Sequence, residues 1–296
     1  LYILTQKSGI ALRPAVVAPN EIVKLAKVID QSTVSHLFIP DLPGSFDSLE
    51  ISSACLGVTK GLRAGSGVFR LLEHDEKQLL RRLETLQAIS GNRYLLGIGT
   101  GNPGPTPEQK IDEMVKRLQE IKRDFRSSDG MLFPQSFVAT LKIGIAKKVA
   151  GSCDGILMNF CSPAYAGGVA KSVRESYSGN LEIACYLKTF FSKSTETATK
   201  LAINEFENYN MLTHYHKMFE MDGVADLIRT AKSSQIYPDR LREISPVNPS
   251  QGELIEFVSR FREARVTIPC VYPYFAPRET FAFKLEIIQR IISSVE

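Results

Sequence analysis

Cysteine is scarce and unpatterned in this chain: Cys55, Cys153, Cys161, Cys185 and Cys270 are odd in number, widely spaced, and never form a Cys-x-x-Cys pair. That pattern argues against a disulfide framework and against a zinc site, and no bound metal is expected. No apolar run approaches the roughly 20 residues a membrane span needs, so no membrane partner is expected. The N-terminus also lacks a basic segment followed by an apolar one, as a secretory signal would have. An excess of charge of one sign is nearly absent too: 36 Lys plus Arg stand against 32 Asp plus Glu, a formal net charge of +4. There is no basic run of the kind nucleic-acid binders carry, so no nucleic-acid partner is expected. The expectation is a soluble, reduced, cytoplasmic enzyme acting on a small molecule.

What is present is regular alternation. With 296 residues and 44% hydrophobic content, the chain can bury a large core. Its most informative stretch runs from Ser90 to Asn102, where a helix end, an apolar run from Tyr94 to Ile98 and a glycine-rich loop follow one another. The run is too short for a helix and is bounded by glycines, so it reads as a buried strand of a parallel sheet.

Similar strand-length runs occur at Leu1–Leu4, His36–Pro40, Leu62–Phe69, Phe137–Leu141, Gly155–Asn159, Leu181–Phe191 and Thr267–Tyr272. Helical periodicity fills the intervals. Asn20 is expected to cap the first helix, further helices are expected near 48–60, 76–89 and 142–150, and Thr106-Pro107 is expected to open another. Eight strands alternating with helices predict a (β/α)₈ TIM barrel, a single domain over 1–296, with ligands at the C-terminal strand ends. Ser194 to Ser250 is too long for one crossover and is expected to be a helical insertion after the seventh strand, serving as a lid or part of a subunit interface.

The loop Gly99-Thr100-Gly101-Asn102-Pro103-Gly104 matches the Gly-x-Gly-x-x-Gly dinucleotide pattern literally. The context fails, because Pro103, Pro105 and Pro107 delay the helix whose N-terminus would meet a pyrophosphate. The acidic residues about twenty positions on, Glu120 and Asp124, fall inside a helix.

Taken together, Gly65-Ser66-Gly67-Val68-Phe69, Thr85 to Arg93, Leu96 to Gly101, Val138 to Leu141 and Ala150 to Leu157 resemble the luciferase-like monooxygenase superfamily. That group of flavin- and deazaflavin-dependent barrel enzymes includes bacterial luciferase and the coenzyme F-420-dependent reductases and dehydrogenases. The resemblance covers roughly residues 35 to 165, with weaker agreement near 267 to 277.

The resemblance implies roles for particular residues. Gly67 and Val68 fall where deazaflavin-dependent members have a bulge with a non-proline cis peptide behind the central ring of the cofactor; a plain strand-end turn is the alternative. Gly99, Thr100, Gly101 and Asn102, with Thr140, Leu141 and Lys142, fall where the family binds the cofactor side chain and phosphate, though Lys142 is equally readable as a solvated lysine. Asp41 matches the acidic residue of the family's Asp-His pair, but Leu42 replaces its histidine, and leucine does no acid–base chemistry. Of the histidines, His36 reads as structural, His214 and His216 lie on the insertion, and His74 follows the third strand as the candidate catalytic partner of Asp41.

The leading functional reading is a coenzyme F-420-dependent oxidoreductase moving hydride to or from a small organic substrate. The alternatives are an FMN-dependent monooxygenase using molecular oxygen and a barrel that binds flavin without turnover. Relatives are commonly dimers, so a homodimer is implied.

Overall fold

The computed structural model describes residues 6–101, 107–127 and 130–296. Eight parallel strands close into one barrel in chain order: β1 (Gly9–Ala11), β2 (His36–Ile39), β3 (Arg63–Arg70), β4 (Tyr94–Gly99), β5 (Gln135–Ala139), β6 (Gly155–Asn159), β7 (Glu182–Phe191) and β8 (Ile268–Phe275). The expected (β/α)₈ TIM barrel is therefore the fold. Short apolar runs suit it because each strand is covered on both faces, by side chains inside and helices outside.

The outer layer follows the same order, with α1 (Pro19–Ile29), α2 (Ser48–Val58), α3 (Glu76–Ser90), α4 (Pro107–Asp124), α5 (Ile143–Val149) and α6 (Pro163–Ser176) each following the strand of the same number. After β7 come α7 (Thr195–Asn210), α8 (Thr213–Met221), α9 (Ala225–Ser234) and the short α10 (Asp239–Arg242), then α11 (Gln251–Glu263). The last helix, α12 (Phe281–Val295), follows β8. Side-chain oxygens of Asp47, Asp75, Ser162, Ser194, Ser250 and Thr280 accept first-turn backbone N–H groups and so start six of these helices.

Several expectations need correction. The run Leu1–Leu4 lies outside the described residues, and the first described strand is Gly9–Ala11, three residues with no β-branched run to announce it. Asn20 lies inside α1; the capping position is Ala18, because Pro19 supplies a helical φ at the first position and Glu21 accepts the Ala18 N–H at 3.2 Å. Strand β5 ends at Ala139, leaving Thr140 and Leu141 in the following loop. Strand β8 runs on to Phe275 because it pairs with β7 from Ala184↔Ile268 to Phe191↔Phe275.

Aromatic rings fill the barrel. Phe38 packs edge-on against Phe137 and Tyr186 at ring separations of 5.5 and 5.8 Å. His36 lies 6.4 Å from Phe137, at the start of β2 and far from the strand ends where ligands bind. Its buried imidazole accepts from or donates to Ser35 Oγ at 2.8 Å, and burial, helped by Arg63 and Lys7, pushes its pKa down to about 3.

His36 is thus neutral in the folded chain while an unfolded histidine takes up a proton below about pH 6.5. Stability should fall as pH drops from about 6.5 towards about 3, by up to about 1.4 kcal/mol per pH unit from this group. Urea unfolding followed across that window should show a shallower dependence for His36→Gln; an unchanged slope would exclude the assignment.

Candidate active site

The C-terminal ends of the strands form a mouth whose two sides are built differently. On the β2–β4 side, the ladder between β3 and β4 shifts register between Ser66 and Phe69, and the Gly67–Val68 peptide inside that bulge is cis, as the resemblance implied. A Cβ on Gly67 would stand 1.8 Å from the Tyr186 hydroxyl and 3.0 Å from Phe38 Cβ. Only glycine fits there, and the Tyr186 hydroxyl uses the space to donate to the Gly67 carbonyl at 3.0 Å.

Beyond the bulge, β3 delivers Arg70 to the mouth. Its Nε donates to Asp41 Oδ2 at 3.3 Å and its Nη1 to Glu73 Oε2 at 2.6 Å. The β4 loop closes against the same cluster: Gly101 has φ +70°, and a Cβ there would meet Glu73 Oε1 at 2.5 Å. A Cβ on Gly99 would lie 3.0 Å from Val68 Cγ2. The sequence-predicted residues Asp41, Gly67, Val68, Gly99 and Gly101 are therefore brought together on one wall.

His74 joins them through the short turn after β3. Its ring stacks on Phe69 at 3.9 Å with a 23° interplanar angle. Burial lowers its pKa, aided by Arg70, while Asp41 and Asp47 work in the opposite direction. This favours the neutral imidazole, and its Nε2 is buried with no hydrogen-bond partner among the described residues.

Other predicted residues take quieter positions. Thr140 Oγ1 accepts the Lys142 backbone N–H at 3.1 Å and so serves the turn into α5. The Leu141 carbonyl accepts from the Tyr165 hydroxyl at 2.6 Å. Lys142 is exposed and occupies the cap position of α5 without a side-chain cap bond. Thr100 Oγ1 makes a 3.5 Å contact with the Gly101 carbonyl, and Asn102 lies outside the described residues.

The opposite side of the mouth carries residues that sequence reasoning missed. Lys188, from β7, is fully buried and forms an ion pair with Glu205 of α7. Its ammonium lies 3.7 Å from the Tyr209 ring centre and 4.6 Å from that of Phe160, and it donates to the Tyr274 hydroxyl at 3.0 Å. Arg13, just past β1, donates from Nη1 to the same hydroxyl at 3.0 Å. Burial opposes ionisation of Glu205, but Lys188, Tyr274 and Arg13 outweigh it and hold the carboxyl below its ordinary range. The visible signal was a lysine inside an otherwise apolar strand, Tyr186-Leu187-Lys188-Thr189-Phe190, since a buried charge demands a partner. Asn159, at the end of β6, donates to the Tyr215 hydroxyl of α8 at 2.7 Å, so the helices after β7 cover this side.

Around the mouth, Arg13 Nε, Ser45 Oγ, His74 Nε2 and Asn159 Oδ1 are buried with no hydrogen-bond partner among the described residues. Buried polar groups are normally paired, so donors and acceptors left open beside the β1, β2, β3 and β6 ends fit a polar cofactor or substrate. Among the described residues, no group of three His, Cys, Asp or Glu could hold a metal ion, and no helix is long and apolar enough to cross a membrane.

A closed parallel barrel with its polar groups gathered at the C-terminal strand ends is the architecture of barrel enzymes. A profile of the luciferase-like monooxygenase family matches residues 1–245, and the chain belongs to that family of oxidoreductases. No curated protein sequence matches the chain. Among solved structures it is similar to a coenzyme F-420-dependent tetrahydromethanopterin reductase from Methanopyrus kandleri, with TM-score 0.69 and 13% identity over 98% of this chain and 99% of that one. An F-420-dependent secondary alcohol dehydrogenase in complex with an F-420–acetone adduct gives TM-score 0.72 and 14% identity over 98% and 99% of the two chains. The oxygenating constituent of 3,6-diketocamphane monooxygenase from Pseudomonas putida, in complex with FMN, gives 0.66 and 14% over 98% and 97%. At these identities the likeness is one of fold.

The Gly67–Tyr186 contact makes a double-mutant prediction. Gly67→Ala should destabilise the protein by about 2 kcal/mol or more, as overpacking of a filled interior does. Tyr186→Phe removes the oxygen nearest the new methyl, so Gly67→Ala/Tyr186→Phe should recover part of that loss, a coupling readable by denaturant unfolding. Strict additivity of the two changes would contradict the geometry.

Proposed function

We propose that this protein is a coenzyme F-420-dependent oxidoreductase that moves hydride between the deazaflavin and a small organic substrate held at the mouth of the barrel. The observation that carries the reading is the β3 bulge, which sets Val68 against the Gly99 loop beside the Asp41–Arg70 pair. The Gly-Ile-Gly-Thr-Gly loop and the Ala-x-Leu stretch from the last residue of β5 into its loop look nearer to deazaflavin users than to luciferase itself, and two of the structurally similar proteins act with F-420. When bound, the deazaflavin supplies the hydride-carrying carbon and lacks the ring nitrogen that supports oxygen activation; the protein positions and polarises.

The residues present fit that task. Val68 would back the ring, the backbone at Gly99–Gly101 would approach the side chain, and Lys142, exposed at the start of α5, would offer charge to a phosphate. Arg70 donates to Asp41 Oδ2 at 3.3 Å, which fixes the orientation of the Asp41 side chain at the mouth. His74, whose lowered pKa favours the neutral ring and whose Nε2 has no partner among the described residues, is the group suited to exchange a proton with substrate in place of the histidine that Leu42 displaces. A second reading, an FMN-dependent monooxygenase, draws on the FMN-bound structural relative. We further propose that the protein works as a homodimer in the cytoplasm.

Titrating the purified protein with F-420 and with FMN, by absorbance and calorimetry, should give at least about tenfold tighter binding of F-420. Preference for FMN, with oxygen uptake on reduction, would replace the first reading with the second. His74→Gln should lower kcat by about 10²-fold, the usual scale for a lost general acid or base, while leaving cofactor affinity within twofold; unchanged turnover would remove His74 from the mechanism.

A further inference from the structure

Arg13 is held on one edge and open on the other. Nη1 donates to the Tyr274 hydroxyl at 3.0 Å and stands 3.9 Å from Glu205 Oε1, beyond hydrogen-bond range. The Nε–Nη2 edge makes no hydrogen bond among the described residues, although Nε is buried. That edge is the pair of parallel donors that matches the two oxygens of a carboxylate.

Its base is rigid. The guanidinium carbon lies 5.5 Å from the Tyr274 ring centre, and Tyr274 is itself buried and pinned by Lys188 at 3.0 Å. Such a fork loses little freedom on binding, which favours affinity. The charges also fail to cancel: Lys188 already contacts Glu205, so Arg13 leaves the cluster with one positive charge in excess. A monoanion would complete it, whereas a phosphate dianion would overshoot.

The barrel order sets the direction. Strands β1 and β8 stand across the closed barrel from β4 and β5, so a group held by Arg13 points the rest of its molecule across the mouth towards the Val68–Gly99 wall. We infer that Arg13 binds the carboxylate of the substrate and that this protein acts on an organic acid. The inference rests on the reading of the mouth as the substrate site given under Proposed function.

The test uses the full chain, with and without whichever of F-420 or FMN it binds, and three probes: benzoate, its neutral isostere benzamide, and inorganic phosphate. Calorimetry should show benzoate binding about tenfold or more tighter than benzamide, the scale of a charge-assisted hydrogen-bonded pair, and weakening with added salt. Arg13→Gln should abolish that difference while leaving benzamide and cofactor binding within twofold. Should that variant fail to fold, Arg13→Lys keeps the charge but loses the fork, and benzoate affinity should still drop about fivefold or more.

Equal binding of benzoate and benzamide, tighter binding of phosphate than of benzoate, or an Arg13→Gln protein that keeps its benzoate preference would each overturn the assignment. Loss of cofactor affinity in that variant would also overturn it, by placing the anion on the cofactor. Arg13-dependent benzoate binding by a protein that takes up neither F-420 nor FMN would sink the cofactor reading and leave the carboxylate anchor standing.

Discussion

The Tyr186 hydroxyl, reaching from β7 across the barrel to the Gly67 carbonyl of β3 at 3.0 Å, is the contact on which the functional end of the molecule rests. The two strands lie on opposite sides of the closed sheet, so this bond crosses the interior. The ring that carries it is wedged between Phe38 and Tyr272 at 5.8 and 5.2 Å. A packed barrel interior has no room to slide, and the β3 bulge is therefore held in place. From it follow the positions of Val68 and Arg70, and through Arg70 those of Asp41 and Glu73.

The same crossing separates two electrostatic environments. On the β2–β4 side Arg70 meets two carboxylates, Asp41 and Glu73. On the other, Arg13 and Lys188 share one, Glu205. One wall thus has a negative charge in excess and the facing wall a positive one. A low-dielectric mouth focuses such fields, and a bound molecule would be oriented by them end to end. The helices after β7 contribute directly, because α7 supplies Glu205 and Tyr209 and α8 supplies Tyr215 to the contacts on this side of the mouth.

Seven of the eight strands were legible as short apolar runs bounded by glycine, proline or polar residues, because strands buried on both faces need such composition. Strand β1 was not, since Gly9-Ile10-Ala11 is too short and too small to stand out. The site divides in the same way. Asp41, Gly67, Val68, Gly99 and Gly101 sit on contiguous motifs and could be nominated. Arg13, Glu205 and Tyr274 could not, because each acquires meaning from partners far along the chain, and Lys188, conspicuous within β7, did not reveal which partners it meets. Thr140 shows the converse: its hydroxyl fits a ligand-binding loop by motif, yet in the structure it accepts the Lys142 N–H.

By itself the sequence determined the alternation of strand and helix, and with it the barrel and the family, because periodicity and local glycine placement are properties of neighbouring residues. Which side chains meet was decided only by closure. Pairing β8 back onto β1 brings Tyr274 to Arg13, and packing α7 on the mouth brings Glu205 to Lys188. The physical reason is that a buried charge is stable only with a partner at contact distance, and contact across a closed sheet is fixed by strand order and register.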